Sequence, residues 1–128
     1  MREILFRGKQ ADNEKWVIGY LSSKHTITIQ TPCGHMDEIV ICADTVGQFT
    51  GLTDKNGKRI FEGDILLLDD IKGIVNYGTG CFCVKLPSPD YLYRNNPAID
   101  MVLNEYPGLE IIGNAHDNPE LLKEEDET

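Results

Sequence analysis

Three histidines, four cysteines and a run of closely spaced carboxylates are the groups in this chain that could do chemistry. Cys33, Cys42, Cys81 and Cys83 show neither the paired C-x2-C knuckles of a zinc ribbon nor a dense framework, and with His35 they close no four-ligand set. They read as reduced thiols, most of them buried small side chains. In Cys81-Phe82-Cys83 an extended backbone turns both sulfurs to one face and the ring to the other, which makes a pair of neighbouring core thiols. His25, His35 and His116 stand in loop-like stretches, where a solvated imidazole is the ordinary outcome. A small-molecule or nucleotide enzyme would need them to converge in a pocket beside acids.

The carboxylates gather in FTGLTDKNGKRIFEGDILLL, residues 49–68. Counted from Asp54, a calcium loop requires glycine at its sixth position and glutamate at its twelfth, where Arg59 and Ile65 stand instead. Glu62 and Asp64 flank Gly63, but no His, Ser or Cys lies near enough in sequence to complete an acid–base pair. Catalytic residues, metal ligands and cofactors are therefore not expected here. The stretch reads as a corner: Asn56-Gly57 as a two-residue hairpin turn with positive φ at both positions, Gly63 as a tight turn, and Asp64 as an acceptor for backbone amides.

The elements around that corner are mostly strands. Alternation marks residues 3–7, 15–21, 26–30, 38–42 and 45–50, separated by polar clusters, so the first third reads as a β-meander. Residues 65–68, 73–77 and 81–86 follow as three short strands with tight connections, the pattern of a small SH3-like barrel. Asn96-Pro97 offers a helix start, and Ile99, Val102, Leu103 and Tyr106 share one apolar stripe over 97–105 before Pro107-Gly108 stops it. A last strand spans 109–113, and Asn118-Pro119 opens a final helical turn. The expected fold is mainly β, with one or two short helices near the C-terminus. Residues 1–122 are expected to form a single domain and 123–128 an acidic, disordered tail.

With 128 residues the chain can bury one core without help from disulfides or metal. Its net charge of −9 is unevenly spread: residues 1–63 hold eight bases and eight acids, residues 64–128 four bases and thirteen acids. That balance disfavours direct nucleic-acid binding. No apolar run has the length of a membrane span and the opening residues lack a signal peptide's apolar core, so a soluble, cytoplasmic protein is expected.

Residues 46–65, V-G-Q-F-T-G-L-T-D-K-N-G-K-R-I-F-E-G-D-I, then G-I-V at 73–75 and I-I-G-N-A-H-D-N-P-E-L-L at 111–122, resemble the YopX family of phage and prophage proteins, as does the opening R-E-I-L-F-R-G at 2–8. Thr50, Gly51, Leu52, Asp54, Asn56, Gly57, Glu62, Gly63, Asp64, Gly113, Asn114, Asn118 and Pro119 occupy signature positions. The resemblance implies a mainly β fold with an SH3-like barrel, carriage on a phage or integrated element, and no established activity. The functional expectation is a non-enzymatic, self-associating interaction module that binds a host or phage protein. Tyr91, Tyr93 and Tyr106 are the candidate interface. An acidic nucleic-acid mimic and a small-molecule enzyme stand as alternatives.

Overall fold

The computed structural model describes residues 4–78, 80–86 and 97–122, which divide between two compact units, Met1–Gly51 and Leu52–Thr128. In the first, β1 (Phe6–Lys9), β2 (Trp16–Ser23), β3 (Thr26–Gln30) and β4 (Met36–Val40) form the expected antiparallel meander. A 3-10 turn, Ala43–Thr45, then leads into β5 (Gly47–Thr53), which returns to the free side of β1, with Phe6 opposite Gln48. Beyond β4 the chain bends back onto β1: Gln10 bridges Ile41, and the amide of Cys42 donates to the Lys9 carbonyl at 2.8 Å.

That curl leaves a narrow inner face. A Cβ on Gly19 would lie 2.4 Å from the Thr28 carbonyl oxygen, and one on Gly8 2.7 Å from Ile41 Cδ1. The inside therefore takes glycine where β1 and β2 approach β3 and the 41–42 return, and Ile27 and Ile41 fill it. Thr45 completes the packing polar side inward, its hydroxyl accepting the Lys9 amide at 2.9 Å and donating to the Cys42 carbonyl.

In the second unit the end of β5 enters a hairpin with β6 (Arg59–Phe61), and β7 (Asp64–Leu68), β8 (Ile71–Tyr77), β9 (Phe82–Lys85) and β10 (Glu110–Asn114) form a sheet ordered β10-β7-β8-β9. β7 is buried along nearly its whole length, so it reads as a continuous apolar run rather than an alternation. Leu66, Leu68, Val75, Val84 and Ile60 share a core with Leu109 and with Ile99 and Val102 of α1 (Ile99–Glu105). Each such side chain contributes about 1.5–3 kcal/mol when fully withdrawn from water. Leu103 and Tyr106 pack against the same core, so the stripe expected for this helix is the one that it buries.

The mainly β class is as the alternation indicated, but the four strands from β7 onward make an open sheet rather than a closed SH3-like barrel. The helix begins two residues later than expected. Pro97 instead gives its carbonyl to the Val84 amide at 2.9 Å and Ala98 bridges Cys83, so these residues extend β9 sideways before Ala98 caps the helix. No helix among the described residues is long and apolar enough to cross a membrane. Tyr91, Tyr93 and the 123–128 tail lie outside the described residues.

Candidate functional site

Two places collect the residues singled out by type and spacing. One is a polar corner of the second unit; the other is the outward face of the first unit's sheet.

The corner is built around two buried carboxylates, Asp54 and Asp64, which are 6% and 1% exposed. Asp54 Oδ1 accepts the amides of Asn56 and Lys58, each at 2.9 Å, and Oδ2 accepts the amide of Ile111 at 3.1 Å. Burial works against its charge, yet the amides of Ile111, Lys58 and Asn56, together with the Lys58 ammonium, hold the carboxyl below the usual carboxylate range. Asp64 Oδ2 accepts the Phe61 amide at 2.7 Å across the Glu62-Gly63 turn.

Gly63, at φ 95°, donates its amide to the Val75 carbonyl and receives the Ala115 amide on its own carbonyl, both at 2.9 Å. Only a residue comfortable in the left-handed region can face both ways at this turn. The two later signature segments meet here directly, for Asn114 pairs with Asp64 and Gly113 with Ile65 across β10 and β7. Asn118 then brackets the end: its Oδ1 accepts the Asn114 amide at 3.2 Å, and its own amide donates to the Asn114 carbonyl at 2.8 Å. Asn114 Oδ1 in turn accepts the amides of His116 and Asp117, and Pro119 starts the closing 3-10 turn. Thr50 is buried and Gly51 exposed on β5, Leu52 packs on the core, and Glu62 is half-buried.

The hairpin differs from the expected form. Gly57 is left-handed at φ 82° but Asn56 is not among the positive-φ residues, and the Gly57 amide donates to the Asp54 carbonyl at 3.0 Å. The turn therefore runs from Asp54 to Gly57, because the Asp54 carboxylate draws the following amides toward itself. This corner holds backbone in place; its carboxylates face amides and are turned away from solvent.

The other candidate groups do not assemble. His25 and His35 are exposed at opposite ends of β3, and His116 is exposed in the 115–117 turn. Three of the cysteines, Cys33, Cys42 and Cys81, are exposed, contrary to the expectation that most are buried. Cys33 sits in a hairpin turn and Cys42 just past β4, where the chain has left the inner face. Cys81 precedes β9, so only Cys83 of that pair is a core thiol. Among the described residues no group of three or more His, Cys, Asp and Glu is placed to hold a metal ion.

What the strand pattern did not reveal is the outward face of the meander. Cross-strand register puts Tyr20, Thr28 and Glu38 in one row, with Ile18 beside Arg7 and Trp16 beside Lys9. On this face Tyr20, Met36 and Val40 are 58%, 59% and 59% exposed, and Ile18 44%. The Arg7 guanidinium lies 4.7 Å and the Lys9 ammonium 5.8 Å from the Trp16 ring centroid, so cations border the apolar residues at the β1 side. The signal was present in the sequence as Gly8 and Gly19, which alternate with these residues and mark the points of the opposite face where a Cβ has no room.

A mainly β protein of two antiparallel sheets, with its glycine and carboxylate positions spent on a backbone corner, is what this geometry defines. The chain belongs to the YopX protein family, whose match spans residues 5–123. It is similar in fold to a crystal structure of protein EF1440 from Enterococcus faecalis, with a TM-score of 0.55 and 24% identity over 95% of this chain and 99% of that one. No curated protein matches the chain significantly.

Proposed function

We propose that the chain is a non-enzymatic interaction module that self-associates and binds a protein of its host or of the phage that carries it, in the cytoplasm. The observation that supports this most is the outward sheet face, where four large apolar side chains stand exposed on β2 and β4 around Thr28. Adjacent exposed apolar residues with bordering charges are the composition of a protein contact. The alternative of a nucleic-acid mimic is weakened by Asp54 and Asp64, which are committed to backbone amides and present no charge outward. The enzyme alternative is weakened by the dispersal of His25 and His35 to opposite ends of one strand.

Light scattering over a micromolar concentration series tests the self-association. An oligomer that Tyr20→Asp with Val40→Asp converts to monomer, at unchanged melting temperature, supports this face as the contact. A monomer at every concentration removes self-association from the proposal. Capture of binding proteins from lysogenic cells, compared between the wild-type chain and the same variant, tests the second partner.

A further inference from the structure

The Cys81 and Cys83 sulfurs are 3.7 Å apart, although the residues are separated by only Phe82. In a regular strand, residues two apart have Cα atoms about 6.6–6.8 Å from each other, at the far edge of what a disulfide spans. Here the chain bends first. Gly80 is left-handed at φ 86°, its amide donates to the Gly78 carbonyl at 2.7 Å, and the Gly78 amide donates to the Cys81 carbonyl at 2.8 Å. β9 begins only at Phe82, so Cys81 stands at the bend, just outside the regular strand that holds Cys83. The two thiols differ in access: Cys81 is exposed, and Cys83 is 5% exposed.

We propose that Cys81 and Cys83 form a thiol–disulfide exchange site whose co-reactant is a low-molecular-weight disulfide of the glutathione type. The Cys81 thiolate attacks one sulfur of that disulfide, forming a mixed disulfide and expelling one thiolate. The Cys83 thiolate, beside it, then attacks the Cys81 sulfur, closing the Cys81–Cys83 bond and expelling the second thiolate. The protein loses two electrons and two protons, and the small disulfide becomes two thiols. Burial and the neighbouring Cys81 sulfur push the Cys83 thiol up, which fits the exposed Cys81 as the attacking group and Cys83 as the resolving one.

Closing the bond brings the sulfurs from 3.7 Å to about 2.05 Å within a three-residue ring, so the product is strained and readily reduced again. The movement falls where β9 is gripped from its outer side, since Cys83 bridges Ala98 and the next amide, that of Val84, bonds Pro97. The site thereby couples the thiol state to the attachment of the residues that lead into α1.

The test is incubation of the full chain with oxidised glutathione, followed by alkylation under denaturing conditions and peptide mass mapping. Expected is a 81–83 peptide short of two hydrogens and refractory to alkylation until dithiothreitol is added. Cys83→Ser should instead accumulate a glutathione adduct at Cys81, and Cys81→Ser should leave Cys83 unmodified in the folded protein. Cys33, whose thiol is lowered by its hydrogen bond with Thr31, is the internal control for competent oxidant. A stable glutathione adduct on Cys81 of the wild-type chain with Cys83 still alkylatable would overturn the proposal. So would free thiols at both positions once Cys33 has reacted, and the wild-type map decides between these even if a variant fails to fold.

Discussion

The Asp54 carboxylate accepts the backbone amide of Ile111 at 3.1 Å across fifty-seven positions of sequence. The same side chain organises the turn that follows it, so one residue joins a local hairpin to a strand at the other end of its unit. Removing it leaves three amides without their acceptor, and Asp54→Ala should lose about 1–3 kcal/mol in urea unfolding. Because the folded carboxyl titrates below its ordinary value, its ionised form contributes fully above about pH 4 and loses that contribution as pH falls through the folded value. The stability gap between wild type and Asp54→Asn should thus narrow from pH 6 to pH 3. A gap that stays constant would show that ionisation at Asp54 contributes nothing.

The hairpin turn separates two neighbours that the dipeptide Asn-Gly would make equivalent. Gly57 is left-handed and Asn56 is not. Gly57→Val should cost about 1–3 kcal/mol through backbone strain, whereas Asn56→Ala should stay within about 0.5 kcal/mol. Comparable losses at both positions would restore the two-residue turn.

Gly113 and Asn118 act as a pair. A Cβ at Gly113 would sit 2.6 Å from Asn118 Oδ1, the atom that accepts the Asn114 amide. Gly113→Ala should lose about 1–3 kcal/mol by displacing that side chain, and Asn118→Ala about 0.5–1.5 kcal/mol by removing it. The double variant should lose less than the sum by at least ~0.5 kcal/mol. Simple additivity would mean that the alanine is accommodated elsewhere.

Gly19 faces backbone rather than a movable side chain, with the Thr28 carbonyl oxygen 2.4 Å from a built Cβ. Gly19→Ala should cost about 1–3 kcal/mol or prevent folding of the first unit. Gly108→Ala, which meets nothing within 4 Å, serves as the comparison and should be neutral within about 0.5 kcal/mol. Equal melting temperatures for the two would contradict the narrow inner face.

Legibility followed the reach of each signal. β3 was read at its observed bounds because Thr and Ile alternate between two clear turns. The apolar stripe of α1 survived a misplaced start, since Ile99 and Val102 needed only helical spacing to find the core. Gly63 and Asp64 were legible as a turn with an acceptor, but the pairing of Asp64 with Asn114 and of Ile65 with Gly113 was not, because register between distant strands is set by the whole sheet. The facing of β2 was not legible from alternation, since Ile18 and Tyr20 are the larger apolar residues yet stand exposed, while Gly19 lies on the tight inner side. Cys81 was placed in a strand from its neighbours, and the left-handed Gly80 bends it out.

β1 is bonded on both sides, to β2 through Phe6 and Gly19 and to β5 through Phe6 and Gln48. Its first partner is made within a dozen residues and its second some forty residues later, so a chain growing on the ribosome holds one edge of β1 open until β5 has been made. The delay before β1 closes is thus set by the order of synthesis, because the strand that covers its second edge lies some forty residues further along the chain.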